Sequence, residues 1–326
     1  MNKVELVKQF NILSANELIS KEIPEQKWIV KDLIPENSFI IWAGNKGCSK
    51  SLLNAYIGLC IATGNDVFGE FEVVKKGPVL YFDEENGVRR MKFRVTKIAN
   101  GMDIRGDVPI EFYSVIKKGF KLDEEDGHKK FIGWISEIIK EYKPVYVVMD
   151  SLVRMMTGDE NSSKDVRRLF DNLSPLMEKY NVTFSTIHHN NKSGGIRGSG
   201  DFGYMADKTF NVKRIGNSRT DFCLEQDKER DNDWIKNIEY RAKDSEDGSK
   251  ILFDCLNVDR DDKQSMAEKL AAEIMKFMEV GKTYKKQEIS EHLKRVDTDR
   301  SVQKALGLLK MNFKDGDTQG FYTRVR

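Results

Sequence analysis

An apolar run, Phe39-Ile40-Ile41-Trp42-Ala43, ends in Gly44-Asn45-Lys46-Gly47-Cys48-Ser49-Lys50-Ser51, and a helical pattern over residues 52–62 follows at once. Glycines let the loop's backbone N–H groups turn inward, and the helix start adds the positive end of its dipole. Lys50 can then neutralise phosphate charge, and Ser51 can offer a hydroxyl to a hard divalent cation. Strand, loop and helix in this order bind the β- and γ-phosphates of a nucleotide. The expected ligand-binding residues are therefore Gly44, Asn45, Lys46, Gly47, Cys48, Ser49, Lys50 and Ser51, with ATP and Mg2+ as cofactors. A Gly-rich surface turn before a helix is the bland alternative, and the apolar strand before the loop weighs against it. Ser49 stands where a glycine before the lysine is usual, a position that tolerates a small side chain if its φ is negative.

A second apolar strand, Tyr146-Val147-Val148-Met149, ends in Asp150, about a hundred residues after the loop. Strands often end in Asp as a turn residue, but beside a phosphate loop the carboxylate becomes the partner of Ser51 in holding the metal or its water. The run Val79-Leu80-Tyr81-Phe82 ends in Asp83-Glu84-Glu85-Asn86, so one carboxylate of that group can polarise an attacking water, unless the group is only a solvated acidic turn. His188 and His189 end a further strand, where a side chain can sense the γ-phosphate and pass its state to the Gly-rich stretch that follows, although lone histidines are more often structural.

These residues need a scaffold that brings several strand ends together. Strand-like runs at 38–43, 78–83, 110–115, 145–150 and 182–188 alternate with helical patterns, which is the mark of an α/β fold with a mainly parallel sheet. After the Gly-rich stretch 191–203, pieces at 209–213, 222–225 and 251–256 extend the sheet as antiparallel strands. Residues 1–34 carry no motif beyond a short helix near 15–20 and form an N-terminal segment, and 35–260 form the core domain. A charged stretch at 259–263 reads as a linker.

Helical patterns at 265–280, 286–293 and 299–310, then a turn at Lys314-Asp315-Gly316-Asp317 between short strands, predict a winged helix-turn-helix over 265–326. Arg300, Gln303 and Lys304 fall in the first turns of its third helix, the recognition helix, and residues 281–326 hold 11 basic against 6 acidic side chains, a surplus of five. Arg300 and Lys304 are the expected contacts to duplex DNA, with docking on a replication partner as the other reading.

The whole-chain balance, 54 basic against 52 acidic residues in 326, hides that surplus. Hydrophobic content of 39% leaves ample chain for a core. Cys48, Cys60, Cys223 and Cys255 are scattered, without Cys-x-x-Cys or His at ligand spacing, which argues against zinc and against a disulfide framework. The apolar runs fall short of a membrane span and the start lacks a signal-peptide pattern, so a cytoplasmic protein with no membrane partner is expected.

The order Gly44–Ser51, Tyr81 to Asn86, Asp150-Ser151-Leu152-Val153-Arg154 with Gly158-Asp159-Glu160-Asn161, then His188-His189, resembles the RepA-type hexameric replicative helicases, and more distantly DnaB, over about residues 14–230. The resemblance implies a RecA-like ATPase core in which Lys50, Glu85, Asp150, His188 and Arg230 are catalytic, Glu85 as the glutamate that acts on water and His188 as the sensor. By the same resemblance Ile196-Arg197-Gly198-Ser199 is the family's Arg-Gly-Ser loop; its Gly-rich surroundings suit a mobile DNA-contacting loop, and Lys192 and Arg197 are the expected DNA-binding residues there. Lys228-Glu229-Arg230 looks like the Lys-x-Arg element that reaches a neighbour's nucleotide, adding Lys228 and Arg230 to the cofactor-binding set. The implied assembly is a homo-oligomer, a hexamer, with single-stranded DNA in the ring. A different class is a DNA-binding accessory or regulatory ATPase, a loader or recombinase-like protein, that does not unwind.

Overall fold

In the computed structural model, which describes residues 5–6, 12–22, 25–104, 111–123, 128–229, 235–260, 266–293, 302, 305–307, 309 and 321–325, the chain enters through the short helix Ala15–Ser20 (α1). Ser14 caps it and Glu17 reaches back to the Ser14 N–H, so two orphan donors are satisfied. A small antiparallel pair, Trp28–Val30 (β1) and Ile34–Pro35 (β2), follows. Ile29, Val30 and Leu33 are fully buried in the main core, so this part of the expected N-terminal segment belongs physically to the sheet domain.

The core then alternates as the patterns predicted: Phe39–Gly44 (β3), Lys50–Thr63 (α2), Val79–Asp83 (β4), Val88–Gly101 (α3), Phe112–Ile116 (β5), His128–Tyr142 (α4), Tyr146–Asp150 (β6), Ser163–Tyr180 (α5) and Thr183–Ile187 (β7). After a loop come Asp201–Met205 (α6), Lys208–Arg214 (β8), Asp221–Glu229 (β9), Ile235–Asp244 (β10) and Ile251–Arg260 (β11). Among the described residues these strands form one nine-stranded sheet in the order β11-β10-β9-β8-β3-β7-β6-β4-β5. Pairings from β8 through β3 to β5 are parallel, and β8 to β11 run antiparallel. β11 reaches Arg260, so the first two residues of the expected linker, Asp259 and Arg260, belong to the sheet, and its remainder lies outside the described residues.

Both faces of the parallel part are covered, which explains its continuous apolar strands. In β3, Ile40 and Trp42 enter one core with α2, whereas Phe39, Ile41 and Ala43 enter the other with α5. α2 is buried almost all round and ends at Gly64, whose left-handed φ of 80° closes the helix on the Cys60 carbonyl. Four neighbouring strands, β3, β7, β6 and β4, thus end at one edge of the sheet, and this edge is where the chemistry-bearing residues meet.

A separate cluster gathers Leu270, Ile274, Ile289, Val302 and Leu306 from Met266–Phe277 (α7), Lys286–His292 (α8) and the helical residues 302 and 305–307. The strand Thr283–Lys285 (β12) pairs antiparallel with Phe321–Thr323 (β13). The tail strand therefore packs against the segment before α8, and the expected turn at Lys314–Asp317 lies outside the described residues, as do Arg300, Gln303 and Lys304.

Candidate nucleotide site

Gly44 closes β3 with φ 154°, where a Cβ would lie 2.4 Å from the Val212 carbonyl oxygen of β8, and Gly47 turns the loop at φ 83°. Asn45, Lys46 and Gly47 are exposed at the crest, where Arg214 of β8 donates to the Gly47 carbonyl at 3.0 Å. Ser49 adopts φ 59°, ψ 17°, the left-handed region, so the condition of a negative φ is not met. The chain keeps the glycine-like turn and accepts a side chain there at a cost of roughly 1 kcal/mol.

Lys50 opens α2 and is almost fully buried. Its Nζ donates to the carbonyls of Gly44 (2.7 Å) and Asn45 (2.9 Å), and burial lowers its pKa against the pull of Asp150 and Glu85. A buried polar chain holds this turn on the sheet: Trp42 Nε1 donates to Ser185 Oγ (2.7 Å), Ser185 Oγ to Asn54 Oδ1 (3.1 Å), and Asn54 Nδ2 to the Lys50 carbonyl (3.1 Å).

Asp150, at the end of β6, is fully buried and sits opposite Asp83 of β4 in register. Burial raises its pKa to about 6; the Ser51 hydroxyl beside it and the Tyr81 hydroxyl draw it back, while the Asp83 charge pushes it further up. Its Oδ1 has no hydrogen-bond partner among the described residues. A buried carboxylate oxygen left open beside a serine hydroxyl is the donor set a hard cation takes, so Ser51 and Asp150 fit Mg2+, which would supply charge neutralisation at the phosphates.

The acidic group after β4 divides its labour. Asp83 Oδ1 accepts from the N–H groups of Glu85 and Asn86 and from the Asn86 amide, and Glu84 accepts from the N–H groups of Lys118 and Gly119. Glu84 is consumed in shaping the turn, whereas Asp83 spends only Oδ1 on it and its buried Oδ2 has no hydrogen-bond partner among the described residues. Glu85 is exposed, its carboxylate makes no hydrogen bond among the described residues, and it lines a cleft of about 510 Å³ with Lys50, Ser51, Arg94 and His189.

His188 does not line that cleft. It is fully buried with its ring 4.6 Å from Phe202, both ring nitrogens lack partners among the described residues, and burial lowers its pKa to about 4. The adjacent His189 takes the place expected of it: half-buried, at the cleft, with burial and the Lys50 charge lowering its pKa. Its carbonyl accepts from the Arg197 N–H (2.9 Å). The Arg197 guanidinium grips Glu160 through two contacts of 2.7 and 3.0 Å, while Lys192 is exposed. Lys228 lies in β9, and its ammonium bonds the carbonyls of Gly203, Tyr204 and Ala206 at the end of α6, so in this conformation it is engaged within its own chain. Arg230 lies outside the described residues.

Two side chains that motif reading passed over belong to the site. Tyr81 donates to Asp150 Oδ2 at 2.8 Å, and Arg94 of α3 lines the cleft with a buried Nη1 that has no hydrogen-bond partner among the described residues. The position of Arg94 on the helix after Glu85, nine residues on, was visible, but the buried cation at the cleft was not.

A family model described as an AAA domain matches residues 5–195. Sequence comparison with curated proteins returns no match. Among solved structures the chain is similar to the RadB recombinase crystal structure, at 14% identity and a TM-score of 0.48, over 68% of this chain and 92% of that one. No helix among the described residues is long and apolar enough to cross a membrane.

Proposed function

Given that the chain belongs to the AAA domain family, we propose that it is a RecA-like P-loop ATPase and the subunit of a ring-forming DNA helicase that couples ATP hydrolysis to movement on single-stranded DNA. The observation that carries this reading is the bond from the Arg197 N–H to the carbonyl of His189, the residue that lines the nucleotide cleft. A change at the γ-phosphate reaches the Gly-rich stretch bearing Lys192 and Arg197 through one peptide unit, and that stretch is the candidate contact to DNA phosphates. In this reading Glu85 acts on the water, Lys50 holds the phosphates, Ser51 and Asp150 would hold a metal that supplies charge neutralisation there, and Arg230 of a neighbouring copy completes the cleft. The C-terminal cluster, with its basic surplus, binds duplex DNA through Arg300 and Lys304 or docks the ring on a replication partner.

A DNA-bound regulatory ATPase that does not unwind is the second reading, favoured by the strained Ser49 in the phosphate loop, which suits slow turnover. A strand-displacement assay on a forked substrate decides between them. DNA-stimulated hydrolysis with unwinding supports the helicase; stimulation without unwinding leaves the regulatory ATPase; no hydrolysis in either condition overturns both. For the neighbour's arginine, mixing Arg230→Ala with Lys50→Ala subunits is expected to restore activity above either variant alone.

A further inference from the structure

Tyr81 comes from β4, a strand that contributes nothing to the phosphate loop, yet its hydroxyl lies between the two elements that do the binding. It is 2.8 Å from Asp150 Oδ2 at the end of β6 and 3.3 Å from the Ser51 carbonyl in the first turn of α2. A phenol has one proton to donate, and the shorter contact to the carboxylate takes it. The ring is fully buried, with Phe112 at 5.9 Å between centroids, so the hydroxyl is delivered to one place. Strand register makes this possible, because Tyr81 pairs with Val148 and Asp83 with Asp150 across β4 and β6.

A carboxylate can present either oxygen to a cation, and turning its plane exchanges them. With Oδ2 held by the Tyr81 hydroxyl that exchange is blocked, and Oδ1, which has no partner among the described residues, is the atom left to coordinate. We propose that Tyr81 is a positioning residue for the divalent cation: by fixing which oxygen Asp150 offers, it sets the affinity of the nucleotide-loaded site for Mg2+. This rests on the reading of the cleft as a Mg2+–ATP site. The competing account is that Tyr81 merely satisfies its own buried hydroxyl and ties β4 to β6 and α2.

The two accounts separate in Tyr81→Phe, which removes the O–H and leaves the ring's packing in place. Two readouts on the full chain suffice: uptake of Mn2+, followed by the loss of its free-ion paramagnetic resonance signal in the presence of a non-hydrolysable ATP analogue, and binding of a fluorescent ATP analogue in excess chelator. Tyr81→Phe is expected to weaken Mn2+ uptake about 10–100-fold, the usual effect of removing a group that orients a metal ligand, with chelator-resistant nucleotide binding unchanged. Unchanged Mn2+ uptake overturns the proposal. So does an equal loss of nucleotide binding in chelator, because Tyr81 would then support the loop and not the metal carboxylate. If the wild-type chain takes up neither Mn2+ nor nucleotide, the ATPase reading itself fails, and that outcome does not depend on the variant.

Discussion

The floor and the rim of the cleft are built differently. On the floor, Lys50 and Asp150 are buried, bonded to fixed neighbours and backed by Tyr81, Asn54 and Ser185. On the rim, Glu85 is exposed with no hydrogen bond on its carboxylate among the described residues, His189 is half-buried, and Lys46 stands in solvent. Groups that bind phosphate in the ground state are set by the sheet before any ligand arrives; groups that act on the reacting water are placed by what arrives. This division separates affinity from turnover, since only interactions that strengthen in the transition state accelerate the chemistry.

The largest effect is expected at the rim. Glu85→Gln should lower hydrolysis by about 10²–10⁴-fold, the scale of a lost general base, while a fluorescent-nucleotide titration shows binding retained. A wild-type rate would remove Glu85 from the reaction and leave His189 as the rim's other candidate, because Glu84 is held by the N–H groups of Lys118 and Gly119. On the floor, Lys50→Ala should weaken nucleotide binding by about 100-fold, as loss of charge-assisted phosphate bonds implies, with turnover falling alongside. A variant that binds normally but does not turn over would erase the distinction between floor and rim.

His188 tests how far the buried region extends. Its folded pKa of about 4 lies below the ordinary value of 6.5, so the unfolded chain takes up a proton first as pH falls. Stability is full above pH 6.5 and declines between there and about pH 4. At pH 5 this amounts to about 2 kcal/mol, opposed in the same window by Asp150, whose raised pKa of about 6 makes stability rise as pH falls. It is therefore read as the change that His188→Gln makes in the difference in urea unfolding between pH 7 and pH 5; an unchanged pH slope would mean that the ring is hydrated. The smallest effect is expected at the crest: Ser49→Gly, by releasing the left-handed turn, should stabilise the chain by about 1 kcal/mol in thermal unfolding.

What the sequence made legible follows from the same physics. Strands β3, β4 and β6 are buried on both faces, so each reads as a short, mainly apolar run, β7 shows instead as a β-branched run with buried hydroxyls, and the loop Gly44–Ser51 carries its own signature. β10 escaped notice because the register shifts between Ile235 and Asn237, which breaks the alternation that marks a half-buried strand. His188 and His189 were both visible, but which of two neighbours faces the cleft depends on how the chain leaves β7. Tyr81 and Arg94 join the site through strand register and helix packing, and neither leaves a local mark. The fold was therefore read at the level of elements, and the site at the level of its loop and acidic strand ends.

The two bonds from Lys50 to the Gly44 and Asn45 carbonyls also govern how a ligand enters. The ammonium is solvated by the loop that carries it, so a phosphate does not capture a bare cation but takes part in an exchange of partners. The strength of binding is then a difference between two sets of contacts. Weak anions, which cannot outbid two carbonyls, are turned away, while a polyphosphate with several oxygens completes the swap. The resting loop thus acts as its own competitive ligand, a discrimination built into the backbone before any specificity pocket is reached.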